Sequence, residues 1–223
     1  MLYLQESLKS AADRRYFYVC LKQKILITIK MMRSDRIYQL CRMILTPVFR
    51  CFYHPQVIGA EKIPEKGRII LAGNHKHALD PILVDICTKR TVHALAKSEL
   101  FKGPFGLFFK AIGAISVDLD ANKNPEAYEK AKEILRNDGV INISPEAARN
   151  YTKKLLLPFK SGAVRLAIET GSKIIPYCIK GDYKFASDDL RIVYGDALRI
   201  ETDDIEEANS LLYRAIEKLL KEN

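Results

Sequence analysis

The sequence NHKHALDP at positions 74–81 places a histidine and a carboxylate with four residues between them. A carboxylate that accepts a hydrogen bond from one imidazole nitrogen leaves the other nitrogen free to take a proton from a substrate hydroxyl. Residues five positions apart do not share one face of a helix, so this pair needs a loop. Pro81 disfavours helical dihedrals at Asp80 and suits the first helical position. We therefore expect His75 in a loop above Asp80, with Asp80 as the helix N-cap.

The same spacing also fits plainer interpretations. Asp80 could simply cap a helix beneath a surface histidine. A metal site is a third interpretation, because His75 and His77 are close in sequence. No cysteine or third histidine nearby would complete a ligand shell, and His93 falls within an expected strand. The five cysteines are scattered without a Cys-x-x-Cys pair, which favours a reducing, cytosolic setting. We expect neither a metal nor a cofactor.

Three further segments carry candidate substrate contacts. Lys97 follows an expected strand and could reach a phosphate as a point charge, or it is a solvated loop lysine. In ISPEAAR at 143–149, Glu146 suits a polyol hydroxyl and Arg149 suits a phosphate, which arginine binds in a bidentate manner. Pro176 interrupts the strand-like segment KIIPY at 173–177 and is expected to shape a pocket wall.

Buried-strand patterns alternate with helical patterns from residue 68 onward. Strands are expected at 68–72, 91–96, 114–117, 140–143, 174–179 and 190–194, and helices at 81–88, 101–110, 125–137, 162–170 and from 203. This alternation predicts a layered α/β fold with a largely parallel or mixed central sheet flanked by helices. Functional loops gather at the carboxyl ends of parallel strands. The residues expected there are His75, Lys97, Asp118 and Glu146.

The first 60 residues are strongly basic. They hold ten Lys and Arg against three Asp and Glu, a net +7 of the chain's +9. Residues 14–53 mix these charges with apolar and aromatic residues, and Pro47 is expected to interrupt the helix, so one or two amphipathic helices are predicted. We divide the chain into a membrane-docking region at 1–54 and an α/β domain at 55–223. No stretch approaches the roughly 20 apolar residues of a spanning helix, so we expect a peripheral protein.

Four segments, taken together, resemble a known family. In order and spacing, Asn74-His75 with Asp80-Pro81, GAISVD at 113–118, Pro145-Glu146 and Ile175-Pro176 are similar to the four motifs of the PlsC-type glycerolipid acyltransferases. Within that family the resemblance is to bacterial 1-acyl-sn-glycerol-3-phosphate acyltransferases in particular. It covers roughly residues 55 to 200 and depends on the ordered set rather than on any one motif.

The resemblance implies a role for each motif residue. His75 would be the general base and Asp80 would orient it. Lys97 and Arg149 would hold a phosphate, and Glu146 would help to position the glycerol backbone. The remaining candidate substrate-binding positions are Asn74, Gly113, Asp118 and Pro176. The reaction implied is transfer of a fatty acyl group from acyl-CoA or acyl carrier protein to lysophosphatidate, directly and without an acyl-enzyme. The cellular location implied is the cytoplasmic face of the cell membrane, where the protein would bind an anionic lipid surface.

Two departures from the family pattern concern the phosphate site. Leu119 stands where the family usually has arginine, and Ala147-Ala148 replace a usual Gly-Thr, which removes backbone freedom and a hydroxyl donor. Either the acceptor is a different lysolipid, or Lys97, Arg149 and Lys153 compensate. An inactive lipid-binding relative is a further alternative. A nucleic-acid binder is the weakest, because the basic charge is accompanied by no nucleic-acid motif.

Overall fold

The computed structural model describes residues 35–104, 106–118 and 124–222. Helix α1 covers the described residues 35–53. The strands that follow are β1 Gln56–Ile58, β2 Ile69–Gly73, β3 Val92–Lys97, β4 Ile115–Val117, β5 Val140–Ile143, β6 Lys173–Lys180 and β7 Arg191–Tyr194. The helices between and after them are α2 Asp80–Asp85, α3 Gly106–Ala111, α4 Pro125–Arg136, α5 Gly162–Thr170 and α6 Ile205–Glu222. Two short 3-10 helices lie at Ala60–Lys62 and Ser98–Phe101.

The strands that the structure describes form one seven-stranded sheet in the order β1-β7-β6-β2-β5-β3-β4. All neighbours pair in parallel except β6 and β7, which are antiparallel. The predicted fold, a layered α/β domain with a largely parallel sheet, is confirmed. Because β2, β3, β4, β5 and β6 share one direction, their carboxyl ends meet at one edge of the sheet.

Both faces of the sheet are covered, as β2 shows most simply. Ile70 and Ala72 pack into a core shared with α4, α5 and α6, whereas Ile69 and Leu71 pack into a second core shared with α1 and α2. Alternate side chains of a strand point to opposite faces, and a parallel sheet is usually buried on both. The loops at the carboxyl edge are therefore carried by a rigid support.

Helix α1 runs through Pro47 without a break, so the expectation that Pro47 interrupts the helix was wrong. Proline inside a helix removes one hydrogen bond, to the carbonyl of Met43, at a cost of about 3 kcal/mol. Both Met43 and Pro47 are exposed, so water can satisfy that carbonyl. The helix is held instead by its other face, where Tyr38 and Phe49 are buried.

Much of the basic amphipathic region lies outside the described residues. Seven of its ten Lys and Arg precede residue 35, as does the first part of the segment predicted to be helical. None of the helices in the described ranges is both long and apolar enough to cross a bilayer.

Candidate active site

The loop between β2 and α2 brings His75 and Asp80 into direct contact. Nδ1 of His75 lies 2.8 Å from Oδ2 of Asp80. A carboxylate only accepts hydrogen bonds, so Nδ1 carries the proton and Nε2 keeps its lone pair. The imidazole is partly exposed, whereas the Asp80 side chain is 2% exposed. A buried carboxylate thus fixes the tautomer of an accessible imidazole, an arrangement that suits a general base.

The Asp80 carboxylate accepts three further hydrogen bonds. Oδ2 accepts from the backbone N–H groups of Lys76 at 2.8 Å and His77 at 2.9 Å. Oδ1 accepts from the hydroxyl of Tyr183 at 2.6 Å. With donors on both oxygens, the carboxylate is held in one orientation.

The expectation that Asp80 is the helix N-cap was wrong by one position. Leu79 is the N-cap and Asp80 is the first helical residue. The carboxylate faces backwards, to amides of the preceding loop, rather than forwards to the amides of the first helical turn. The loop folds back over the helix start and presents two N–H groups as well as the imidazole, so the carboxylate fixes the loop rather than the helix end.

The backbone of His75 is fixed from the loop that follows β5. Its N–H donates to Oε1 of Glu146 at 3.0 Å, and its carbonyl accepts from the N–H of Asn150 at 2.8 Å. The other carboxylate oxygen of Glu146 accepts from the N–H of Leu157 at 2.7 Å. Burial raises the pKa of Glu146 above its usual value, although these two amides oppose that shift. Glu146 thus joins three loop segments around His75.

Asn74 joins the end of β2 to β6. Its amide oxygen accepts from the N–H of Ile179 at 2.7 Å, and its amide nitrogen donates to the carbonyl of Ile179 at 3.0 Å. Gly73, at the end of β2, has no side chain, and this leaves space for the ring of Tyr177 on β6. A Cβ built on Gly73 would lie 2.2 Å from Cε2 of Tyr177. The ring of Tyr177 therefore lies directly against the backbone of β2, two residues before the histidine.

A cleft of about 350 Å³ opens beside His75 and Glu146. Its lining includes four lysines, namely Lys76, Lys153, Lys154 and Lys180. Lysine ammonium groups suit a phosphate as point charges. Lys153 was suggested by the sequence, but the other three were missed. The sequence does show the pair Lys153-Lys154 and a lysine at the carboxyl end of β6. That these lysines line one cleft, however, depends on the fold.

The remaining predicted positions are not among the residues that line the cleft. Lys97 ends β3 and pairs with Glu99 at 3.3 Å. Arg149 is exposed, with its guanidinium 5.6 Å from the ring centre of Tyr151. Asp118 follows β4, and its backbone exchanges two hydrogen bonds of 2.8 Å with the Asn124 side chain.

Gly113 and Pro176 have structural surroundings. The carbonyl of Gly113 accepts from Nδ1 of His93 at 2.8 Å. Pro176 is buried in β6 beside Ala72, and its carbonyl accepts from the N–H of Gly195 at 2.8 Å. Because β6 and β7 are antiparallel, Pro176 accepts this bond from Gly195 but, without an N–H, cannot return one. As substrate contacts, Asn74, Lys97, Gly113, Asp118, Glu146, Arg149 and Pro176 stay predictions.

The turn after β5 keeps an unusual conformation. Ala147 has a φ of 53°, in the left-handed region that favours glycine, and its N–H donates to the carbonyl of Ser144 at 3.0 Å. The turn therefore places an alanine in a backbone conformation that glycine would adopt without strain. Among the described side chains, no group of three His, Cys, Asp or Glu could hold a metal ion.

The Acyltransferase family model matches residues 54–180, more than half of the chain, and the chain belongs to this family. It is 32% identical over 131 residues to a 1-acyl-sn-glycerol-3-phosphate acyltransferase of Borreliella burgdorferi, which covers 58% of this chain and 52% of that protein. A protein of the same name in Haemophilus influenzae is 32% identical over 114 residues, covering 49% of this chain and 46% of the relative.

The chain spans about half the length of these curated relatives. A solved structure, described as the 1-acyl-sn-glycerophosphate (LPA) acyltransferase PlsC from Thermotoga maritima, is similar in fold with a TM-score of 0.61. That match covers 93% of this chain and 95% of the other at 22% identity, so it bears on the fold alone.

Proposed function

We propose that the protein transfers a fatty acyl group from acyl-CoA or acyl carrier protein to the free hydroxyl of 1-acyl-sn-glycerol 3-phosphate. The observation that carries the proposal is the 2.8 Å contact between His75 and Asp80 beside a cleft lined by lysines. The names of the relatives point to the same acceptor.

The reaction needs one base and no covalent enzyme intermediate. Nε2 of His75 takes the proton from the acceptor hydroxyl, and the oxygen forms a bond to the thioester carbonyl carbon. Collapse of the tetrahedral intermediate breaks the carbon–sulfur bond, and the leaving thiolate takes the proton from His75. The products are an ester and a free thiol. Asp80 stabilises the imidazolium formed between the two proton transfers.

The headgroup of the acceptor would lie among the cleft lysines. A phosphate monoester carries close to two negative charges at neutral pH. Lys153 and Lys154 are exposed beside the cleft, and Lys180 lies at the carboxyl end of β6. These side chains supply positive charge near the proposed base, in addition to Lys97 and Arg149, which the family pattern suggests but which do not line the cleft.

The acceptor is a lipid, so the site has to meet a membrane surface. Helix α1 exposes a set of large apolar side chains, namely Leu40, Met43, Ile44, Val48 and Phe52. Leu107 of α3 is 81% exposed, with Lys102 and Lys110 exposed nearby. Apolar residues bordered by lysines are typical of a surface that binds anionic lipid. We propose that the protein docks peripherally on the cytoplasmic face of the membrane and binds no nucleic acid.

The test is release of thiol from acyl-CoA, and separately from acyl carrier protein, in the presence of lysophosphatidate, with the lipid product identified by mass spectrometry. His75→Ala should lower kcat roughly 10²–10⁴-fold. The matched control is His54→Ala, since His54 is an exposed histidine that contacts only Asp188 among the described charged groups. Near-normal turnover by folded His75→Ala would refute the proposed base. If product formed only from another lysolipid, the proposed acceptor would be wrong, but the proposed base would stand.

A further inference from the structure

Tyr183 reaches the catalytic pair from the loop that follows β6. Its hydroxyl donates to Oδ1 of Asp80 at 2.6 Å, across 103 positions of sequence. The loop begins at Gly181, which has a φ of 71° and whose missing Cβ would lie 2.0 Å from the carbonyl of Asp189. The turn that sends Tyr183 towards Asp80 therefore requires glycine at its start.

The ring of Tyr183 is held on several sides. It is stacked on the imidazole of His77, with centres 4.5 Å apart and planes at 25°. It makes edge contacts with Phe49 at 6.2 Å and Tyr53 at 5.7 Å, both from α1. Burial, followed by the negative charge of Asp80, raises the pKa of Tyr183, so its hydroxyl stays a donor.

The two oxygens of Asp80 are held unequally. Oδ2 receives His75 and two backbone amides, whereas Tyr183 is the donor to Oδ1. The last torsion of an aspartate has a broad energy minimum, so donors on one oxygen alone leave the carboxylate free to rock. A donor on the second oxygen, carried by a partly buried ring that is packed on several sides, restricts that motion.

We propose that Tyr183 is a positioning residue, whose hydroxyl fixes Asp80 so that Oδ2 stays directed at Nδ1 of His75. This inference rests on the proposed function, in which His75 is the base. Tyr183 acts only through Asp80. It also makes the orientation of the base depend on the packing of α1, because two α1 rings hold the tyrosine in place.

The variant that isolates the hydroxyl is Tyr183→Phe, which keeps the ring contacts. We expect kcat for acyl transfer to fall about tenfold, the size expected for one hydrogen bond to a charged group, with the Michaelis constants unchanged. Tyr213→Phe is the matched control, since Tyr213 lies on α6, packs against Phe159 and should keep the wild-type kcat.

A double-mutant cycle separates positioning from general damage. If Tyr183 acts through Asp80, Tyr183→Phe should have no further effect on kcat in Asp80→Asn. Two results would overturn the inference and leave the proposed base intact. One is a double variant whose fold-reduction in kcat equals the product of the two single reductions, and the other is a wild-type kcat for Tyr183→Phe. Wild-type turnover by Asp80→Asn would instead count against the proposed function. Thermal unfolding of each variant reports whether folding is retained, and the proton NMR signal of Nδ1–H in His75 gives a second readout. That signal should broaden in Tyr183→Phe, and an unchanged signal would contradict the positioning role.

Discussion

The backbone N–H of His75 donates to the carboxylate of Glu146 at 3.0 Å, although the two residues are 71 positions apart in the chain. The contact joins the loop after β2 to the loop after β5, and the same carboxylate continues to Leu157 at 2.7 Å. Glu146 therefore supports the main chain of His75, the proposed base. This is a different role from contact with the glycerol backbone, and the two roles can be separated by experiment.

Glu146→Gln tests the supporting role. Glutamine keeps one acceptor oxygen but turns an NH₂ group towards the second backbone N–H, which leaves a partly buried donor unpaired. We expect the free energy of unfolding to fall by about 1–3 kcal/mol, with a lower kcat. Glu133→Gln, at an exposed position of α4, should stay within about 0.5 kcal/mol of the wild type. Denaturant unfolding measures both, and an unchanged stability for Glu146→Gln would argue against a support.

The cleft lysines predict how the acceptor is held. Lys153→Gln combined with Lys154→Gln should raise the Michaelis constant for lysophosphatidate about tenfold or more and leave that for the acyl donor unchanged, since two charge contacts to the phosphate are lost. Arg149→Gln should have a smaller effect, because Arg149 is not among the residues that line the cleft. Lys173→Gln, at the opposite edge of the sheet, is the control. A larger effect of Arg149→Gln would move the phosphate site to that side.

The absence of tryptophan from the sequence allows a direct test of membrane docking. Met43→Trp on α1 and Leu107→Trp on α3 replace exposed side chains and add one fluorophore each. Phosphatidylglycerol vesicles with brominated acyl chains should quench both. Leu211→Trp on α6 is the control and should not be quenched. Equal quenching at all three positions, or none, would contradict docking through α1 and α3. Quenching at Met43→Trp alone would leave α1 as the contact.

The strained turn predicts a stabilising substitution. Ala147 has a φ of 53°, a conformation that costs an alanine about 1–2 kcal/mol, whereas glycine adopts it freely. After the entropy that glycine loses on folding, Ala147→Gly should gain up to about 1 kcal/mol. Ala148→Gly is a matched control, because Ala148 is not among the described residues with positive φ, and it should lose a similar amount. The test is the melting temperature of each variant. Equal shifts for Ala147→Gly and Ala148→Gly would mean that the turn carries no strain.

A buried carboxyl group predicts how stability depends on pH. Burial raises the pKa of Asp85, which lies near Tyr38 and Arg42 of α1, from 3.8 to about 8. Between these values the folded protein holds a proton that the unfolded chain releases. Raising the pH through this window therefore lowers the stability, by at most about 1.4 kcal/mol per pH unit. Asp85→Asn should remove that slope, as measured by denaturant unfolding at pH 5 to 8. If the pH dependence of stability were unchanged in Asp85→Asn, it would have to come from other groups.

The order of elements was predictable because each buried strand is a short apolar run bounded by turn residues, and the helices between them are amphipathic. The proximity of His75 and Asp80 was predictable too, since their spacing requires a loop between them and Pro81 directly after Asp80 favours a helix start there. The other contacts were not. Tyr183 meets Asp80 only because β6 lies beside β2, and no local pattern marks a tyrosine in a loop as a partner of a distant carboxylate.

Two local errors have a common physical origin. A proline was expected to end α1, and an aspartate before a proline was expected to cap α2. Both rules describe isolated helices. In the fold, packing of Tyr38 and Phe49 carries α1 through Pro47, and a returning loop supplies Asp80 with donors other than the helix amides. Tertiary contacts outweighed local preference in both cases.

The close approach of Tyr177 to Gly73 also limits how this site can change. Any side chain at position 73 would occupy space that the tyrosine ring already fills, so the two positions are coupled. The ring is anchored in turn by its hydroxyl, which donates to Asn142 at 3.0 Å. A larger residue at 73 is therefore accessible only after a smaller one appears at 177, and that change would leave the buried Asn142 without its partner. This one contact therefore sets the order in which substitutions can accumulate at positions 73 and 177.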